Sequence, residues 1–74
     1  MRLHLKSHVA GQVWKLVTQV GDEILADQVI LIVECMKMEI PIVSTKSGKL
    51  VEIRVSEKDL LAENQTVAVL ETGQ

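Results

Sequence analysis

The two halves of this 74-residue chain repeat each other. When the sequence is shifted by thirty-seven positions, Gly11 coincides with Gly48 and Asp22 coincides with Asp59. Other residues that match at this shift are Val13 with Leu50, Leu16 with Ile53, Ile24 with Leu61, Gln28 with Gln65, Ile30 with Val67, Val33 with Leu70, and Glu34 with Glu71. Turn residues coincide as well as apolar ones, so the alternation that any two β-rich halves share does not account for the match. The repeat predicts a scaffold with quasi-twofold symmetry, in which the connection between the halves has no counterpart.

Each half consists of short runs in which apolar and polar residues alternate. Such runs predict half-buried strands, and turn signals such as Gly21-Asp22 separate them. The predicted strands cover residues 2–6, 12–17, 23–25, 29–34, 40–44, 49–55, 60–61 and 66–71. Gly11 is expected in a bend, where it is free to take a positive φ angle. A helical period is limited to residues 57–62, which are too few to form a helix alone. The sequence therefore predicts an all-β sandwich or barrel.

The composition limits the chain to a small class of proteins. It is 47% hydrophobic, which suffices for one small domain over residues 1–74. The formal net charge is −2, acids and bases are mixed, and Trp14 is the single aromatic residue, which argues against nucleic-acid binding. No apolar run has the length of a membrane span, and the start of the chain does not resemble a secretory signal. Because Cys35 is the single cysteine, no internal disulfide can form. These features predict a soluble, monomeric, intracellular domain.

The connection between the halves has an unusual composition for a turn. Two apolar runs, residues 29–33 and 40–43, flank the charged segment 34–39. Both runs predict strands, so the segment between them is expected to form the tip of a hairpin. Lys37 would then be exposed on a rigid support, as a lysine that an enzyme modifies must be. Most exposed lysines are ordinary solvated residues, but a methionine on each side is unusual because methionine is disfavoured at exposed positions.

The same segment resembles the attachment site of the biotinyl/lipoyl domain family. Glu34-Cys35-Met36-Lys37-Met38 is similar to the family pattern Glu-Ala-Met-Lys-Met, and the turns Gly21-Asp22 and Ser47-Gly48 flank it as they do in the family. The resemblance extends from about Leu3 to Glu71. It favours the biotinyl type without the extra "thumb", because residues 14–21 leave no room for one.

This resemblance implies a flattened β-barrel or sandwich of two four-stranded antiparallel sheets, with Lys37 on a tight hairpin. A biotin protein ligase would join biotin to Lys37 through an amide. Carboxybiotin would then move between the biotin carboxylase and carboxyltransferase components of a biotin-dependent carboxylase, and the domain would be a carrier without activity of its own. Met36 and Met38 would belong to the cofactor site, and Glu34 and Glu39 would be recognised by the ligase. The expected location is the cytoplasm, or the mitochondrial matrix for a domain of a larger eukaryotic carboxylase.

Simpler interpretations of these side chains stay open. With strand-like alternation, Met36 and Met38 are expected to point away from Lys37, where they either pack on the hairpin base or form an apolar collar. Glu34 and Glu39 have the alternative role of solubilising the hairpin.

The other reactive side chains are not expected to form a catalytic or metal site. Cys35 has no neighbouring base, so it is expected to be an inert small residue. His4 and His8 share a strand face but lack a third ligand, so we expect surface histidines rather than a metal site. No set of nucleophile, base and carboxylate is apparent.

Two alternatives to a biotin carrier remain. Lipoate, alone or beside biotin, is a possible cofactor of the same scaffold, although lipoyl domains usually have Asp-Lys-Ala at the tip. An unmodified interaction module would instead use the two methionines as a small apolar patch.

Two departures from the family pattern lie in the second half of the chain. Lys58 replaces a glycine, which predicts another conformation for its turn, and Asn64 replaces a glycine at a position where asparagine tolerates left-handed angles.

Overall fold

The computed structural model describes residues 1–73, which form eight strands and no helix. The strands are β1 (Arg2–Lys6), β2 (Gly11–Leu16), β3 (Glu23–Ile24), β4 (Val29–Cys35), β5 (Met38–Val43), β6 (Gly48–Ile53), β7 (Leu60–Leu61) and β8 (Thr66–Glu71). All eight predicted strands are present, with bounds that differ by at most two residues. Within residues 1–73, no helix has the length and apolarity to span a membrane.

The strands form two four-stranded antiparallel sheets. The first sheet has the order β1-β8-β6-β3, and the second has the order β5-β4-β2-β7. The side chains between the sheets are aliphatic and form one cluster: Leu5, Val13, Ile24, Ile30, Leu31, Val33, Ile42, Leu50, Val55, Leu61, Val67, Ala68 and Leu70. The predicted all-β sandwich of two four-stranded antiparallel sheets is therefore confirmed.

Backbone hydrogen bonds between the halves follow the sequence repeat. The Val13 N–H donates to the Asp59 carbonyl at 2.8 Å, and the Leu50 N–H donates to the Asp22 carbonyl at 2.9 Å. Each residue of the first bond lies thirty-seven positions from its counterpart in the second. The same bond is thus made twice, which confirms the predicted quasi-twofold symmetry.

Two buried serines add a symmetric feature that the sequence reading did not identify. Ser7 and Ser44 are fully buried, and they also lie thirty-seven positions apart. The Ser7 hydroxyl donates to the Val9 carbonyl, and the Ser44 hydroxyl donates to the Lys46 carbonyl. A buried hydroxyl is costly without a partner, so these local bonds allow the chain to turn inside the sandwich.

The turn at Lys58 has the same left-handed conformation as its counterpart in the first half, so the expected change of conformation there was wrong. Lys58 has a φ of 77°, and its counterpart Gly21 has a φ of 100°. Their N–H groups donate to the carbonyls of Val13 and Leu50 at 2.8 and 2.7 Å, respectively. The repeated hydrogen bond holds the lysine in a conformation that glycine adopts more easily. Asn64, with a φ of 70°, is also left-handed, as expected.

Gly11 is required for space rather than for a positive φ, which corrects the expectation of a bend. It begins β2, and a Cβ atom there would lie 2.5 Å from the Glu34 carbonyl oxygen. A Cβ atom at its counterpart, Gly48, would lie 2.6 Å from the Glu71 carbonyl oxygen. In both halves, glycine lets the backbones of neighbouring strands approach closely.

The molecule is elongated, with extents of 37 × 19 × 18 Å. Strands β1 and β5 approach each other near their C-terminal ends, where Lys6 and Val43 line the same surface depression.

Alanine at Gly11 or Gly48 is expected to lower the free energy of unfolding by about 1–3 kcal/mol, because the added Cβ atom would collide with a backbone carbonyl that cannot rotate away. Urea unfolding followed by the fluorescence of Trp14 measures the change. Gly73→Ala is the control, because no atom lies within 4 Å of a Cβ atom there. Stabilities of both variants within about 0.5 kcal/mol of the wild type would contradict this explanation.

Lys58→Gly is expected to raise the free energy of unfolding by up to about 1 kcal/mol. Relief of the left-handed conformation gains about 1–2 kcal/mol, and the added flexibility of the unfolded chain offsets part of that gain. The same unfolding assay measures it. Lys46→Gly is the control, since Lys46 is an exposed turn lysine without a positive φ and should only lose stability. Destabilisation by both variants would contradict the prediction.

Candidate functional site

Strands β4 and β5 form a hairpin that closes over two residues only. Glu34 pairs with Glu39, and Cys35 pairs with Met38, so the strands continue to the residues that flank the turn. The expected tip of residues 34–39 is therefore shorter than the sequence indicated. Only Met36 and Lys37 lie outside the ladder.

Both turn residues have left-handed backbones. The φ angle is 52° at Met36 and 66° at Lys37. Two-residue hairpins favour turns of type I′, which need a positive φ at both central positions and usually contain Asn-Gly or a similar pair. For other residues, each left-handed position costs about 1–2 kcal/mol. The expected strand-like alternation therefore fails at Met36, and no glycine or asparagine in the sequence signals this turn.

The burial of β4 holds this strained turn in place. Strand β4 lies between β5 and β2, and Ile30, Leu31 and Val33 have no exposed surface. Burial of one such side chain stabilises a fold by about 1.5–3 kcal/mol, so three of them outweigh the strain of the turn. The tip is consequently fixed by the core beneath it.

Lys37 is exposed and has no partner among the residues that the structure describes. Neither a hydrogen bond nor an ion pair from residues 1–73 involves its side chain. Two shallow surface depressions are lined by residues 16–19 with Asp22, and by residues of β1 and the far end of β5. Neither depression includes the hairpin turn. The Lys37 amine therefore projects into solvent, where a large partner can reach it.

The two methionines are exposed as well. The exposed fraction is 90% for Met36 and 65% for Met38. They are therefore not buried against the base of the hairpin, which was one of the two expected arrangements. That Met36 and Met38 form an apolar collar around the turn, which a partner protein recognises, remains a prediction.

Glu34 and Glu39 lie directly opposite each other on the two strands, a relation that the sequence reading did not identify. Like charges at paired positions destabilise a sheet. In the described part of the chain, neither carboxylate takes part in an ion pair. The hairpin thus presents two uncompensated negative charges beside Lys37.

The remaining candidate side chains do not assemble into a site. Cys35 is a partly buried free thiol next to the turn. His4 and His8 line the depression between β1 and β5. Among residues 1–73, no three histidine, cysteine or acidic side chains come close enough to hold a metal ion.

Comparison with known proteins agrees with this geometry. Residues 1–70 match the biotin/lipoyl family model, described as "Biotin-requiring enzyme". A biotin/lipoyl attachment protein of Bacillus subtilis is 40% identical over 62 residues, which cover 84% of this chain and 85% of that protein. The urea amidolyase of Saccharomyces cerevisiae is 42% identical over 66 residues, which cover 89% of this chain but 4% of that protein.

A solved structure gives the same result for the fold. The crystal structure of Kluyveromyces lactis urea carboxylase matches with a TM-score of 0.92 and 35% identity over 96% of this chain and 6% of that one. The chain thus spans a small part of the urea amidolyase and the urea carboxylase but most of the attachment protein. From the family match over nearly its whole length and from these relatives, we conclude that the chain belongs to the biotin/lipoyl attachment family, as a non-catalytic carrier domain close in structure to the biotin carrier domains of carboxylases.

Proposed function

We propose that this domain carries biotin as an amide on Lys37 Nζ and moves it between the active sites of a biotin-dependent carboxylase. The observation that carries the proposal is the presentation of Lys37, an exposed lysine without a partner on a two-residue turn held by buried strands. The family description and the printed names of the relatives support biotin as the cofactor.

The Lys37 side chain fits a cofactor that is attached through a carboxyl group. A primary amine in solvent can lose a proton and attack the activated carboxyl carbon of biotin in the ligase's active site. The C–N bond forms, the bond to the activating group breaks, and the amine proton goes to solvent or to a base of the ligase. No described side chain forms a hydrogen bond or an ion pair with the Lys37 amine, so the ligase has to supply the activation.

The domain's own contribution is position. When bound, biotin supplies the capacity to accept and release a carboxyl group. Lys37 is exposed on the two-residue turn of the hairpin formed by β4 and β5, so its side chain can enter an active site that the rest of the domain does not enter. Tethering replaces diffusion from bulk solution with a high effective concentration at each site. We propose a biotin protein ligase, a biotin carboxylase and a carboxyltransferase as the partners, in a reducing compartment that keeps Cys35 as a free thiol.

Lipoate is the second candidate cofactor. The Bacillus subtilis relative is named for both cofactors, and the scaffold and the attachment chemistry suit either one. The methionines on both sides of Lys37 favour biotin through the family pattern described above.

Lys37→Arg is expected to abolish modification completely, because a guanidinium group is not a competent acyl acceptor. Intact mass after co-expression with a biotin ligase and, separately, with a lipoate ligase measures the adduct. Lys46→Arg is the matched control, since Lys46 is another exposed turn lysine and its loss should leave modification unchanged. A biotin-sized adduct that persists in Lys37→Arg would refute the site. A lipoyl adduct without a biotin adduct would refute biotin as the cofactor. An unmodified wild-type chain would refute both Lys37 as the attachment site and biotin as the cofactor.

Glu34→Gln and Glu39→Gln are each expected to raise the free energy of unfolding by about 0.2–1 kcal/mol, because either change relieves the repulsion between paired carboxylates. Both variants should nevertheless be modified several-fold more slowly if the ligase reads these charges. Glu63→Gln, an exposed turn glutamate elsewhere, should change neither property. Unchanged modification rates would leave the two glutamates as solubilising residues.

A further inference from the structure

The quasi-twofold symmetry allows the outer faces of the two sheets to be compared position by position. Across the first sheet, one row of directly paired residues consists of Arg2, Glu71, Lys49 and Glu23. Charges of opposite sign alternate along this row, and Arg2 Nε lies 3.3 Å from Glu71 Oε1. Such a row compensates its own charges and has no need of a partner.

The equivalent row of the second sheet has different chemistry. It consists of Glu39, Glu34, Gln12 and Leu60, each thirty-seven positions from its counterpart. Two adjacent carboxylates, an amide and a leucine replace the alternating charges. The Leu60 side chain is 79% exposed. Because the two sheets share one backbone plan, the fold itself does not require this difference.

Neighbouring apolar residues extend the contrast between the faces. Trp14 is the extra residue of a β-bulge in β2 and is 48% exposed. In the next row, Pro41, Ile32 and Lys15 of the second sheet replace His4, Val69 and Glu52 of the first. The strands of the first sheet contribute none of the large apolar side chains that are exposed in residues 1–73.

From this asymmetry we propose that the outer face of the second sheet is the surface on which the biotin protein ligase docks. We call it the sheet-two face and define it by Trp14, Leu60, Glu34 and Glu39. The inference rests on the proposed function and names the surface that this function uses before a cofactor is attached.

Geometry favours the ligase over the carboxylase components as the occupant of this face. The ligase must bring the Lys37 amine itself into its active site, and a lysine side chain is only a four-carbon stem. Its surface therefore meets the hairpin and the face that continues from β4 and β5. A carboxylase component meets biotin at the end of a longer arm, so it can act without contacting the sheet.

The side chains of the sheet-two face also define the chemistry of the partner surface. Trp14 and Leu60 call for an apolar patch, while Glu34 and Glu39 call for arginine or lysine side chains beside it. A second copy of this chain is a poor occupant, because each copy would bring two carboxylates, Glu34 and Glu39, but one lysine, Lys15, to the contact, which would keep a net negative charge. A transient partner with basic side chains around an apolar patch fits both the carboxylates and the apolar side chains of the sheet-two face.

The test is the steady-state kinetics of biotin transfer by a purified biotin protein ligase, with biotin, ATP and varied concentrations of the carrier. Trp14→Ser is expected to lower kcat/KM about tenfold, and Leu60→Ser several-fold, as truncation of central interface residues does. The loss should lie in KM, with kcat preserved, because the Lys37 turn is unchanged. Leu25→Ser is the matched control, since Leu25 is a 70% exposed leucine next to the first sheet.

Equal kcat/KM for Leu60→Ser, Leu25→Ser and the wild type would overturn the docking surface while leaving the proposed function intact. A wild-type chain that the ligase does not modify would overturn both. Thermal unfolding checks that each variant folds, and the highly exposed Leu60 decides the outcome if Trp14→Ser is unstable. A wild-type dimer in sedimentation that Trp14→Ser dissociates would also overturn the proposal, because a second copy would then cover the face.

Discussion

The burial of β4 is the constraint on which the rest of the site depends. Ile30, Leu31 and Val33 are fully buried between the sheets, and β4 pairs with neighbours on both edges. This strand and β5 continue to the residues that flank the turn, so the chain must reverse within two residues. Met36 and Lys37 are held in left-handed conformations that neither residue prefers. The strain is local, and the apolar burial that offsets it is spread over the sandwich.

Duplication explains why such a small chain can hold its shape without aromatic side chains in its core. Every turn that links one sheet to the other is made twice, with the same hydrogen bonds and the same close approach of strands. The segments that precede β1 and follow β8 are also joined, since the Thr72 N–H donates to the Met1 carbonyl at 2.9 Å. This contact is the counterpart of the pairing between Cys35 and Met38. The Met1 amine also donates to Glu71 and lowers the pKa of that carboxyl group.

Symmetry of the backbone separates what the fold needs from what the function uses. The core and the turns obey the repeat, whereas the outer faces of the two sheets do not. A charged, self-compensating row in the first sheet corresponds to two carboxylates, an amide and a leucine in the second sheet. Surface residues contribute little to stability, so their side chains can diverge while the scaffold stays duplicated.

The sequence by itself determined the strand pattern, the repeat and the position of Lys37 between the halves, because alternation and turn residues are local signals. Tertiary structure alone decided the length of the hairpin turn and the opposition of Glu34 and Glu39. Strand register depends on contacts between residues distant in sequence, and no Asn-Gly pair signalled the turn. Likewise, Gly11 looked like a bend residue, and only the packing of β2 against β4 shows that it makes room for a neighbouring carbonyl. Periodicity in the sequence assigns the strands, but the close approach of two backbones and the pairing of residues across strands appear only after the chain has folded.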